Sequence, residues 1–174
     1  MYHYYPFTFN PVYSHMYRND NTMQTDPYTY PGNLPGAINL IKEAVSGERE
    51  DELFYDYLIN TAPTQEAKSI ITSIRNDEIK HNGMFRKIYT ELTGQVLTPD
   101  ENVSFEKPLS YCSGIKRALQ GELAAVQRYR RILFAMQNRV HINMLTEIIT
   151  DELRHANLYN FLFTLGRCAE QDKK

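Results

Sequence analysis

Shifted by 74 residues, the chain falls on itself at a set of polar positions. Gly47-Glu48 lies on Gly121-Glu122 and Tyr55 on Tyr129. Asp77-Glu78-Ile79-Lys80-His81 lies on Asp151-Glu152-Leu153-Arg154-His155. Ile41-Lys42 also matches Ile115-Lys116, and Ala44 matches Ala118. A repeat retained only for packing would preserve its apolar positions; this one preserves Glu, Asp, His and Tyr. Two copies of one unit, each carrying the same ionisable residues, restrict the chain to folds that bring those residues together.

Apolar spacing gives the unit its shape. Ile38, Ile41, Val45, Tyr55 and Ile59 recur at helical intervals and predict a first helix over 36–60. Thr61-Ala62-Pro63-Thr64 then supplies a cap and a proline start for a long run ending at Thr93, with Gly94 as its C-terminal cap. Residues 95–109 hold Pro99 and Pro108 and show no periodicity, so they form a long connection. A third helix is predicted from Ser110 to Gln137, a break near Asn138, and a fourth helix ending at Leu165 and Gly166. The expectation is an all-α fold: an antiparallel four-helix bundle over 36–166, built from two repeated helical hairpins joined by a long crossover. Residues 1–35 carry seven of the thirteen tyrosines and five of the eight prolines and read as an extended arm. Residues 167–174 read as a polar tail.

Composition narrows the function classes. A net charge of −2 gives no reason to expect a nucleic-acid partner or an acidic membrane surface. No apolar stretch has the length of a membrane span, and the N-terminus lacks the pattern of a signal peptide. Cys112 and Cys168 are too few for a disulfide scaffold, a four-cysteine metal site or an iron–sulfur cluster, and they fit a reducing, cytoplasmic location.

The repeated residues have the spacing of a metal site. Positions i and i+3 of a helix share a face, so Glu78 with His81, and Glu152 with His155, each offer a carboxylate and an imidazole to one point. Each of Glu48, Glu78, Glu122 and Glu152 lies near the middle of its helix, and antiparallel packing brings those midpoints to one level. Four carboxylates and two imidazoles are a ligand set for two divalent ions, whose charge balances that of the carboxylates. Oxygen donors with one imidazole per ion suit iron or manganese, and zinc less well. Tyr55 and Tyr129 follow Glu48 and Glu122 by two turns and are either core aromatics or hydroxyls bonded to the site. Asp77 and Asp151 are placed to hold the far nitrogen of an imidazole, including that of the opposite helix pair. His3, His15 and His141 have no comparable partners and read as ordinary residues.

Gly47-Glu48 with Tyr55, Glu78-x-x-His81, Gly121-Glu122 with Tyr129, and Glu152-x-x-His155 resemble the ferritin-like superfamily, and the rubrerythrins most closely, over about residues 36–166. By that resemblance Glu78 and Glu152 would bridge two metals, Glu48 and Glu122 would be terminal ligands, and His81 and His155 would bind one ion each. The resemblance implies a di-iron centre that reduces peroxide or dioxygen or oxidises ferrous iron. Two departures stand out. Two cysteines cannot build the four-cysteine iron of a rubredoxin-like domain, so electrons would come from an external donor protein. The further glutamate that rubrerythrins carry three residues after the third-helix ligand is Ala125 here; its symmetry mate is Asp51, either a substitute or a surface charge. Manganese in the same ligands would instead disproportionate peroxide. A structural or storage role would use the tyrosine-rich arm for contacts within a homo-oligomer, a shell or a spore-coat-like layer.

Overall fold

The computed structural model describes Tyr28 and residues 32–98 and 105–171, the side chains of Glu48, Glu170 and Gln171 excepted. The predicted arm therefore lies almost wholly outside the described residues, as does the end of the predicted tail. Tyr28 is an exception, its ring tilted against that of Phe134 with centroids 4.6 Å apart.

All regular structure among the described residues is helical: α1 (Leu34–Ser46), α2 (Glu48–Thr61), α3 (Gln65–Thr93), α4 (Tyr111–Leu133), α5 (Arg139–Leu165) and the short α6 (Cys168–Gln171). The caps explain most boundaries. Thr64 accepts a hydrogen bond from the Ala67 amide at 3.1 Å and starts α3. Gly94, at φ 70°, ends it in a backbone conformation that a side chain would strain. Ser110 and Ser113 form a reciprocal capping box at the start of α4, and Asn138 caps α5 through the Val140 amide.

Three boundaries differ from the sequence expectation. α1 begins at Leu34, with Pro35 in its first turn, where a missing N–H leaves no hydrogen bond unmade. The predicted first helix is two, broken at Gly47, whose flat ψ of −5° interrupts the ladder before α2 resumes. α4 stops at Leu133, four residues short of the predicted Gln137, because Ala135 and Met136 turn back to Ile132 and Leu133 and bury themselves.

The core is in two parts with a polar level between. One part joins Ala37, Ile41 and Val45 of α1 to Phe85 and Ile88 of α3, Ile132 in the last turn of α4, and Leu145 and Ile148 of α5. The other joins Tyr55 and Leu58 of α2 to Ile71 and Ile74 of α3, Ile115 of α4, and Tyr159 and Leu162 of α5. α1–α2 and α5 thus run from the first part to the second, and α3 and α4 run the other way. Every long helix crosses the polar level once, near its middle.

Cys112 and Cys168 form a disulfide across 56 residues of sequence. The sequence reading, which found too few cysteines for a disulfide scaffold, did not anticipate this pair. The α4–α5 hairpin brings the first turn of α4 beside the residues that follow α5, a proximity that a cysteine count does not reveal. No helix among the described residues is long and apolar enough to cross a membrane.

Candidate metal centre

Glu78 and His81 come from α3, Glu122 from α4, and Glu152 and His155 from α5, all at the polar level between the two halves of the core. His155 is 0 % exposed and Glu152 1 %, and His81 and Glu122 are also buried. Ligand atoms of Glu78, Glu122, Glu152 and His155 all lie within 4.8 Å of one another. His81 stands just outside that group, its Nδ1 3.5 Å from Glu78 and 3.3 Å from Glu152. Glu78 Oε1 sits between the two imidazoles, 3.0 Å from Nδ1 of His155. The two rings lie nearly parallel with centroids 5.9 Å apart. α2 begins at Glu48, one residue past the break, but its side chain is outside the described ones.

Both imidazoles are held from behind by the opposite half of the repeat. Asp151 lies 3.1 Å from Nε2 of His81, and Asp77 lies 3.3 Å from Nε2 of His155. An aspartate at Nε2 keeps the proton there and leaves the Nδ1 lone pair turned toward the carboxylates. Arg154 ties the two aspartates together, donating to Asp77 at 2.6 Å and to Asp151 at 3.0 Å.

The inner atoms are left over. Glu78 Oε1, Glu152 Oε1, His81 Nδ1 and His155 Nδ1 are all buried, and none makes a hydrogen bond despite their closeness. Four buried polar atoms without partners, each costing about 1–3 kcal/mol, are hard to sustain unless something else binds them. Electrostatics points the same way. Burial, above all, pushes Glu122 up to about 8 and Glu152 up to about 9. For His81 burial works against the charged form, but Glu152 and Glu78 outweigh it and raise the imidazole to about 10. Burial likewise opposes ionisation of Glu78, yet His155 and His81 hold it below the usual carboxylate range. Without a cation, protons supply the missing positive charge. The donor set, its burial and its unpartnered atoms fit a metal.

A cavity of about 50 Å³ opens beside Glu78 and His81, lined also by Asp51, Tyr55, Phe85 and Tyr129. It has room for a few water-sized molecules. Asp51 is open to solvent on one flank, yet burial of its carboxyl, ahead of the charges of Glu78 and Glu50, raises it to about 7. It faces the site rather than forming a detached surface charge. Tyr55 is buried and Tyr129 half-buried against Phe85, and burial first holds both phenols well above their ordinary range.

The sequence pattern missed three residues. Arg154 stood in the repeat opposite Lys80 but was not singled out. Tyr159, fully buried one turn beyond His155, has no polar counterpart in the first half to draw attention to it. His141, read as ordinary, is buried and lies 2.7 Å from Glu91.

The family model for rubrerythrins matches residues 39–163. The chain belongs to the rubrerythrin family. Domains of this family bind a dimetal centre, and the carboxylate–histidine group above is the part of this rubrerythrin that could hold metal. A similar protein, the uncharacterized YhjR of Bacillus subtilis (strain 168), is 29% identical over 131 residues, covering 75% of this chain and 89% of its own. No solved structure matches.

Proposed function

We propose that the chain is a di-iron carboxylate oxidoreductase that reduces peroxide or dioxygen, or oxidises ferrous iron. The observation that carries this reading is the set of four buried, unpartnered ligand atoms turned toward one another at the polar level. In this reading α1 and α2 act as one broken helix, which with α3, α4 and α5 makes an antiparallel four-helix bundle. Glu48, Glu78, His81, Glu122, Glu152 and His155 would hold the two ions between them. Two such ions, when bound, supply open positions and redox electrons for a small oxidant. The protein's own part is orientation and access. Asp77, Asp151 and Arg154 keep both Nδ1 atoms facing inward, and the small cavity admits a diatomic-sized substrate while the two apolar halves exclude bulk water. Reductant would come from outside the bundle.

Elemental analysis of the protein from its native host tests the reading, with two metal ions expected per chain. Replacing Glu78 and Glu152 together by Ala should abolish stoichiometric binding of both ions. A double variant that still holds two ions tightly would sink the assignment. Peroxide loss that depends on iron and on added reductant supports the oxidoreductase. Dioxygen release without reductant would move the reading to manganese-dependent disproportionation, and inert bound metal to a structural role.

A further inference from the structure

The second half of the repeat carries oxidisable groups for which the first half has no counterpart. At the 74-residue offset Tyr159 falls on Phe85, Tyr111 on Ala37, Cys112 on Ile38 and Cys168 on Gly94. All four groups sit at the same end of the bundle. Tyr159 lies one turn beyond His155 on the same face of α5, and packs in the core with Tyr55, with Tyr111 at the edge of that core. Gly166 marks where the sulfurs join this group: a Cβ built there would lie 3.2 Å from Cys168 Sγ and 3.9 Å from the Tyr111 ring. Cys112, next in the chain after Tyr111, is bonded to Cys168.

Packing does not account for the Tyr159 hydroxyl. It is buried without a hydrogen bond, with the Tyr55 hydroxyl close by but outside hydrogen-bonding geometry. Such an oxygen is unfavourable to bury, and a phenylalanine, as at position 85, would avoid that cost. Nor can an oxidant readily reach the sulfurs, since Cys112 is 4 % and Cys168 0 % exposed.

We propose that Cys112 and Cys168 form a dithiol–disulfide couple that supplies electrons to the carboxylate–histidine cluster through Tyr111, Tyr159 and Tyr55. This rests on the dimetal reading above. As the S–S bond forms, the two thiols lose two electrons and two protons. Hydrogen peroxide at the cluster takes up both, its O–O bond breaks, and two waters leave. The phenols pass the electrons singly, each releasing its hydroxyl proton when oxidised and regaining a proton when refilled from the sulfur side. An external small thiol or protein dithiol then reduces the disulfide, whose Cys168 opens the four-residue α6.

The test is a thiol count. The protein is reduced with a small dithiol, freed of it without air, and loaded with ferrous iron, and its bound metal is measured. Two equivalents of peroxide are added, one matched by the two ferrous ions and one by the two thiols, and free thiols are alkylated in denaturant and counted by mass. Both thiols should disappear in the iron-loaded protein and persist in the metal-free protein. Tyr159→Phe should keep the metal content but slow thiol loss by about tenfold or more, and Tyr111→Phe should behave alike. Failure to bind metal would overturn the dimetal reading and this inference with it. Bound metal and consumed peroxide with both thiols retained would overturn this inference alone. Thiol loss at the unsubstituted rate in both tyrosine variants would overturn the relay.

Discussion

Each imidazole of the cluster works as a ligand only if its proton stays on the far nitrogen, and that nitrogen faces an aspartate from the other half of the repeat. Replacing Asp77 or Asp151 by Ala removes the acceptor and frees the ring to turn or to take the other tautomer. Each single variant should bind metal about 10–100-fold more weakly, measured by competition with a chromophoric chelator. Arg154→Ala should cost less than either, because the guanidinium is 46 % exposed and acts mainly by orienting the aspartates, with one 3.3 Å contact to Nε2 of His155. Unchanged affinity in both aspartate variants would mean that packing alone orients the imidazoles. No spacing rule reveals Arg154. Its repeat mate Lys80 reaches outward to Glu147 instead, so two residues in matching slots do different things.

Two glycines within the long helices separate close packing from open space. Gly83 of α3 is exposed, with nothing within 4 Å of an added Cβ. Gly83→Ala should therefore stabilise the fold by about 0.5–1 kcal/mol, through lower chain entropy in the unfolded state and better helix propensity. Gly114 of α4 lies where a Cβ would come 2.6 Å from a methyl of the fully buried Leu58. Gly114→Val should destabilise by roughly 1–3 kcal/mol, since the buried Leu58 side chain, with Pro108 beside it, must give way to admit it. Thermal melts of the two variants read both signs, and equal melting points would refute the packing argument. The same contrast explains what was legible in the sequence. The start of α3 at Thr64, its end at Gly94 and the start of α5 at Asn138 follow from local capping chemistry, which the sequence carries in full. The break at Gly47 does not, because Gly121 holds the same slot in an unbroken α4. The early end of α4 depends on where Ala135 and Met136 find burial. The disulfide depends on hairpin register, and Tyr159 on a core that exists only once four elements meet.

Across the whole molecule, two apolar halves enclose one polar level, so the fold carries a charge problem that protons or metal must relieve. Glu122, Glu152 and His81 all have folded-state values above their ordinary ones, at about 8, 9 and 10. A group raised in this way stabilises the fold fully below its unfolded value and loses that contribution as pH rises through its folded value. For the two carboxylates the loss runs from about 4.5 to 8 and 9, and for His81 from 6.5 to about 10. Glu78 is lowered, so its contribution is already complete above 4.5 and does not offset the others in that range. Metal-free protein should thus melt lower at pH 9 than at pH 6, by on the order of 10 °C at roughly 2–4 °C per kcal/mol. Metal reverses the slope. Its binding displaces the same protons, so affinity and the stability it confers rise with pH. Melts with chelator and with manganous ion from pH 6 to 9 should therefore diverge steadily. A metal-free melting point that rises over this range would show that the cluster does not hold its protons. Parallel curves would show that the ions bind elsewhere.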